Sequence, residues 1–424
     1  MRIAVLGAGV VGVASAYYLQ RDGHEIVLID RQPAVAREVS YANAGMIAPG
    51  HAFAWASPRA PKILLQSLWR SDTALRFRLR ADPALWAWSW KFLRECTAEK
   101  SRRNTLVKLR LCLLSIEEMR AIRAAEGFGY DEVLKGALYL YRHADHLQTG
   151  LANAKLLVDN GVTGLRAIDR DELVKIEPAL APVKDKLAGA LYSAQDESGD
   201  CRRFAEGLAE VVRKRGGELR FGETVKRIVA ETGKVEAVET DRGRIAADAV
   251  VVCLANDAPP ILRPLGLRLP IYPVKGYSLT LPVMDGHLAP HLPGVDENYL
   301  VAFARMGNRL RLTATAEFAG FDKRHKPADF EPMLKVARDL FPNGADYTKP
   351  DYYACLRPMT PDGPPVIGPA YGNGDGVGGL WINTGHGHIG WTMACGSARV
   401  LAELVAGRRP PVPLDGLEPQ RYAA

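Results

Sequence analysis

Residues 3–30 constrain the fold more than any other part of the chain. Ile3-Ala4-Val5-Leu6 is a short, wholly apolar run of the kind that forms a buried parallel strand. Gly7-Ala8-Gly9-Val10-Val11-Gly12 follows at once. Residues 13–21 then repeat apolar side chains at helical spacing, up to Gly23, which suits a left-handed helix end. Ile26-Val27-Leu28-Ile29 reads as a second strand, closed by Asp30. A G-x-G-x-x-G run alone is a weak signal. Set between a strand and a helix, with an acid roughly 20 residues further on, it specifies a dinucleotide-binding βαβ unit. Gly7 permits the tight turn, Gly9 lets the backbone approach a pyrophosphate, and Gly12 lets the helix pack closely on the strand. Val10 and Val11 open that helix, whose free N–H groups and dipole attract phosphate. Asp30 is placed to accept hydrogen bonds from ribose hydroxyls. Arg31 either stacks on adenine or meets a 2′-phosphate. A glycine-rich turn without a ligand is the competing reading and the weaker one.

The rest of the chain decides between two dinucleotides. An NAD unit usually completes its six strands contiguously. Here residues 51–130 turn to Trp-, Leu- and Arg-rich helical pattern directly after the second strand. Residues 136–141 and 189–192 read as strands, residues 204–215 as a helix, and residues 218–221 and 225–240 as a strand and a β-meander. Residues 249–253 form another buried strand, and a Pro-rich connection at 259–273 marks a domain crossing. Leu380-Trp381-Ile382-Asn383, a glycine-rich turn and a helix from Thr392 close the chain, with residues 372–379 as loop punctuation. This early departure and late return favour FAD. The expected class is α/β: a Rossmann-like FAD-binding domain (1–50, 198–257 and 350–424) interleaved with an antiparallel-sheet α+β substrate domain (51–197 and 258–349).

Composition narrows the setting. Of 424 residues, 47% are hydrophobic and 24% charged, which describes an ordinary globular chain and rules out extended disorder. The formal charge of +7 is compatible with acidic ligands or an anionic membrane surface. No zinc finger or RNP sequence supports nucleic acid. The 6 cysteines form no C-x-x-C, so neither a metal site nor a redox dithiol is signalled, and a reducing, cytoplasmic setting is expected. The apolar run at 3–6 is too short for a signal sequence, and no stretch is long and apolar enough to predict a spanning helix.

Several blocks carry a family pattern. Ser40-Tyr41-Ala42-Asn43-Ala44-Gly45-Met46-Ile47, Asp196-Glu197-Ser198-Gly199-Asp200-Cys201 and Tyr272-Pro273-Val274-Lys275-Gly276-Tyr277-Ser278 are three of them. Leu356-Arg357-Pro358-Met359-Thr360-Pro361-Asp362-Gly363 and Asn383-Thr384-Gly385-His386-Gly387, with Trp391-Thr392-Met393-Ala394-Cys395-Gly396, complete the set. In this order, over nearly the whole chain, they resemble the small-subunit family of D-amino-acid dehydrogenases. Those belong with the FAD-dependent amine and amino-acid oxidoreductases that include glycine oxidase and sarcosine oxidase. The resemblance implies oxidative deamination of a small D-amino acid to a 2-oxo acid and ammonia. Hydride passes from the α-carbon to flavin N5, and electrons go on to a quinone or respiratory carrier.

The resemblance adds Ser40, Asn43, Ala44, Gly45, Val225, Gly385, His386, Gly387, Gly390 and Thr392 to the cofactor set. It makes Arg357 the clamp for the substrate carboxylate, since a planar guanidinium pairs with two oxygens at once. The alternative is an arginine bridging domains through Asp362 or Glu317. Tyr277 either adds a hydroxyl to that carboxylate or is a core aromatic, and Arg305 is a weaker second cation. His386 and His388 are read as incidental to a backbone turn, and no metal is expected. Two departures stand out. Leu254-Ala255-Asn256-Asp257 replaces a glycine-containing turn, and Arg311 to Glu317 replaces a glycine-rich stretch. Two other functions stay open: a flavoenzyme of glycine, sarcosine or D-hydroxyproline, and a non-catalytic FAD electron-transfer subunit. The basic, aromatic residues 62–80, with Trp86, Trp88 and Trp90, fit a peripheral membrane element, a subunit interface or plain covering helices.

Overall fold

The structure, a computed structural model, describes residues 1–66, 75–77, 80–370 and 376–422. A six-stranded sheet holds, in order, Val366–Pro369, Leu380–Thr384, Ala249–Val252, Arg2–Leu6, Glu25–Asp30 and Glu218–Phe221. Every neighbour is parallel except the antiparallel pair at the Val366–Pro369 edge. The first strand shows why its sequence lacks polar alternation. Ile3 and Val5 enter one core, while Ala4 and Leu6 enter another on the opposite face. A strand covered on both sides is apolar at every position. One cover is made by the helices Val10–Arg21, Cys201–Lys214 and Gly390–Val405. The other is the meander Val225–Glu231, Lys234–Thr240 and Gly243–Ala246.

The second sheet has nine strands among the described residues. Asp351–Met359 lies at its edge, followed by Tyr272–Pro282, Arg309–Phe318, Val301–Met306 and Gly294–Asp296. Ala137–Tyr141, Gly189–Ser193 and Leu165–Asp169 extend it, and Leu75–Phe77 pairs beside Arg309–Phe318. Most pairs are antiparallel. Gly294–Asp296 joins Ala137–Tyr141 in parallel, and Leu75–Phe77 is also parallel to its neighbour. The helix Glu331–Leu340 buries Met333, Leu334 and Ala337 against this sheet.

Two expected domain boundaries move. Helix Ala98–Glu126, expected with the substrate domain, sends Val107, Leu111, Cys112, Ile116 and Met119 into the core beneath the parallel sheet. It crosses Gly390–Val405 closely at Gly396, where a Cβ would stand 2.6 Å from the Leu111 carbonyl oxygen. An apolar stripe requires a partner without saying which one. The return expected at residue 350 comes later, because Asp351–Met359 pairs with Tyr272–Pro282 and only Val366–Pro369 rejoins the parallel sheet. Of the amphipathic stretch at 62–80, residues 67–74 and 78–79 lie outside the described residues, as do residues 371–375 of the late glycine loop.

Candidate active site

A cavity of about 1200 Å³ is lined by residues of both sheets. Its phosphate end is the first turn. Gly7 has φ +99, and a Cβ there would stand 2.6 Å from the Cys253 carbonyl oxygen. A Cβ on Gly12 would stand 1.8 Å from the Gly7 carbonyl oxygen, so this glycine serves the helix–strand contact and does not line the cavity. At Gly9 the nearest atom to a Cβ is Ser40 Oγ at 3.4 Å, which leaves that side open. The Val10 N–H donates to Ser40 Oγ at 3.0 Å, and no side chain caps the helix at Gly9. Asp30 accepts from the N–H groups of Ala8 (2.6 Å) and Gln32 (2.8 Å), and burial raises its pKa. Arg31 pairs with Asp257 at 2.9 Å and Glu38 at 3.3 Å, so its charge is already balanced without a 2′-phosphate. The turn that lacks the family glycine keeps a left-handed residue all the same, with Ala255 at φ +50.

At the other end the flavin loop meets the last helix. Asn43 Oδ1 accepts the Gly45 N–H at 3.0 Å, and Gly45 has φ +72. Thr392 Oγ1 accepts the Ala48 N–H at 3.2 Å and donates to the Met46 carbonyl at 3.4 Å, which ties this loop to helix Gly390–Val405. Gly385 and Gly387 have φ +77 and +62. His386 turns inward, with Nε2 2.9 Å from Ser397 Oγ, and burial pushes its pKa down to about 3, so it is neutral. His388 lines the cavity with its ring stacked on Trp55 at 4.7 Å. Ala44, Val225 and Gly390 line the same cavity.

The wall also carries buried polar atoms that no described residue satisfies: Asn256 Oδ1, Asn383 Oδ1 and Trp391 Nε1. Each such atom costs about 1–3 kcal/mol unless something pairs with it. An elongated ligand rich in donors and acceptors, with phosphates at the glycine turn, fits this lining.

Arg357 projects into the same space. Its guanidinium donates to the Thr315 carbonyl at 3.2 Å, has no carboxylate partner among the described residues, and is held below its usual pKa by burial. Neither Asp362 nor Glu317 bridges it. Asp362 pairs with Arg421 at 2.8 Å, and Glu317 accepts from Tyr277. Gly276 makes the room, since a Cβ there would stand 2.5 Å from the Arg357 Cζ. Thr315 is the extra residue of a bulge between the strands Tyr272–Pro282 and Arg309–Phe318, at φ +55. A β-branched residue in that region is strained by about 1–3 kcal/mol. The bulge turns its carbonyl toward Arg357. Tyr277 does not complete the clamp: it is buried, and its single hydroxyl proton goes to Glu317. Arg305 faces elsewhere, donating to the carbonyls of Gly307 (2.9 Å) and Gly286 (2.8 Å).

Residues the sequence did not single out complete the electrostatics. Lys108 is fully buried, donates to the Phe53 carbonyl at 2.7 Å, and is pushed down to about 8 by burial. Burial above all, and after it the nearby charges of Lys108, Arg357 and His51, opposes protonation of His388. His51 is paired with Glu297 at 3.0 Å on the cavity wall.

The family model for FAD dependent oxidoreductases (DAO) matches residues 2–404. The D-amino acid dehydrogenase 2 of Mesorhizobium japonicum is 48% identical over 419 residues, covering 98% of this chain and 99% of the relative. The chain belongs to the FAD dependent oxidoreductase family. The D-amino acid dehydrogenase of Cereibacter sphaeroides is 43% identical over 424 residues, covering 100% of this chain and 96% of its own. Glycine oxidase from Geobacillus kaustophilus shares the fold, with a TM-score of 0.76 at 22% identity over 99% of this chain and 98% of that one. The cofactor of this family is FAD. In this oxidoreductase Gly9, Val10 and Ser40 would hold its pyrophosphate, Asp30 its ribose, and the 43–45 and 385–392 segments its ring.

Proposed function

We propose that this protein is a D-amino acid dehydrogenase, converting a D-amino acid and water to a 2-oxo acid and ammonia. The observation that carries the reading is Arg357, a half-buried guanidinium with no counter-charge among the described residues, facing the cavity that the glycine turn opens. A carboxylate supplies the missing charge and takes two parallel hydrogen bonds. FAD bound in the cavity supplies the acceptor for the hydride leaving the α-carbon. The chain's own part is orientation and electrostatics. Arg357 fixes the carboxylate, and the charges of Lys108 and Arg357 near His388 favour the neutral form of the substrate amine. No side-chain base is assigned to that proton.

The test is anaerobic absorbance of the purified yellow protein. D-Alanine and D-proline should bleach the flavin band, and L-alanine, glycine and sarcosine should leave it. Recovery of the band on adding a quinone faster than on adding air supports a respiratory acceptor. Bleaching by glycine or sarcosine alone would move the protein to the oxidases of those substrates. No bleaching by any of them sinks the reading.

A quinone acceptor gives meaning to one surface. Helix Pro83–Glu95 buries Leu85, Trp88 and Phe92 and exposes Trp86, Trp90 and Leu93 on the opposite face. Ile63 and Leu65 on Ala60–Gln66 are exposed as well, and the exposed cations Lys62, Lys91 and Arg94 lie on the same two helices. We read this face as a peripheral contact with an anionic bilayer. Among the described residues no helix is long and apolar enough to cross one. The protein should float with vesicles containing anionic lipid, and W86S/W90S should stay at the bottom of the gradient. Equal flotation of both removes the contact.

A further inference from the structure

The wall bearing His51 makes no contact assigned to the substrate in the steps above, yet its polar groups are closely fixed. His51 Nε2 lies 3.0 Å from Glu297 Oε1, and its ring stacks on Tyr139 with centroids 5.1 Å apart and planes 15° off parallel. The Tyr139 hydroxyl donates to the buried Asp196 at 2.5 Å, and Asp196 also accepts the Gly50 N–H at 3.0 Å. The imidazole is therefore fixed in its plane and at one nitrogen. Its Nδ1 has no partner among the described residues, and 33% of the side chain remains open. Glu297 directly follows the strand Gly294–Asp296, four places across the sheet from the strand that carries Arg357. Both residues line the one cavity.

A wall meant only for aliphatic side chains gains nothing from a polar pair, because an unmatched polar group lowers affinity for apolar contacts. Charge narrows what the wall suits. The Lys108 and Arg357 cations disfavour a cationic side chain, and the Glu297 carboxylate, 3.0 Å from His51 Nε2, disfavours an anionic one. A neutral group that both donates and accepts hydrogen bonds remains. We propose that His51, oriented by Glu297, reads the side chain of the substrate and favours D-amino acids bearing a hydroxyl or amide over aliphatic ones of the same size. This rests on the D-amino acid reading of the cavity. With its carboxylate on Arg357, the substrate leaves its side chain to the rest of the wall. Nδ1 can accept from a hydroxyl when neutral and donate to it when protonated.

D-Threonine and D-valine are nearly isosteric, so their kcat/KM ratio in the holoenzyme isolates the hydroxyl. D-Serine against D-2-aminobutyrate repeats the comparison. The ratio should favour the hydroxyl by roughly tenfold or more. His51→Phe should bring it close to one, and His51→Gln, which keeps a hydrogen-bonding end, should retain a several-fold preference. Flavin content measured on each variant separates a changed ratio from a lost cofactor. Equal kcat/KM for D-threonine and D-valine in the unaltered protein overturns the inference. So does an undiminished ratio in His51→Phe. If D-alanine itself leaves the flavin oxidised, the substrate reading has failed and this inference falls with it, whereas bleaching by D-alanine with no hydroxyl preference removes the inference alone.

Discussion

Arg357→Ala should lower kcat/KM for D-alanine by about 2–5 kcal/mol of lost binding, or roughly 30- to 5000-fold, carried mostly by KM. The protein should remain yellow. Among the described residues the guanidinium donates to one carbonyl, that of Thr315 at 3.2 Å, and to none of the residues assigned to the phosphate end of the cavity. Its removal therefore leaves the substrate carboxylate buried without a counter-charge while the cofactor cradle stays intact. Arg357→Lys should recover only part of the loss, since an ammonium offers a point charge in place of a planar fork. Steady-state kinetics beside the 450 nm absorbance per chain gives both readouts. An unchanged KM in Arg357→Ala would falsify the clamp.

Gly12→Ala should yield protein that retains almost no FAD and melts at a lower temperature. A Cβ at this position would stand 1.8 Å from the Gly7 carbonyl oxygen, far inside contact distance and against backbone that has no rotamer to change. The helix Val10–Arg21 must lift from its strand, carrying the phosphate-facing N–H groups with it. Gly9→Ala makes the informative partner. Its Cβ meets nothing closer than Ser40 Oγ at 3.4 Å, so the apoprotein should melt normally while FAD affinity drops. Thermal unfolding with and without added FAD distinguishes the two. Identical behaviour of both variants would contradict the separate roles given to these glycines.

What could be read in advance depended on how far apart the interacting residues lie along the chain. The turn at residues 7–12 and Asp30 form one local unit, and their geometry follows from spacing. The helix expected at 204–215 starts earlier, at Cys201, where Asp200 caps it by accepting from the N–H groups of Arg202 (3.0 Å) and Arg203 (3.3 Å). Long-range pairings were hidden. The partner of His51 is separated from it by 246 positions, so a lone histidine after the flavin loop carried no signal. Lys108 sits in a helix whose sequence gives no reason to bury it, since lysine is almost always exposed. The bulge at Thr315 runs against the preferences of its own residue and exists because the two neighbouring strands pair out of step there. Tyr277 shows the opposite limit: its position matched the pattern, but the buried Glu317 that occupies its hydroxyl belongs to the neighbouring strand.

The parallel sheet has a consequence for how the protein is made. Arg2–Leu6 and Glu25–Asp30 leave the ribosome long before the strand that flanks Arg2–Leu6 on its other side, Ala249–Val252, and the one beyond that, Leu380–Thr384. At about 5–20 residues per second, tens of seconds separate the first strand from its second neighbour. Throughout that interval Ile3, Val5 and Leu6 form an open, apolar strand edge, the kind of surface that recruits other chains. Nascent copies of this protein should therefore depend on chaperone shielding of that edge until Ala249–Val252 is synthesised and pairs with it.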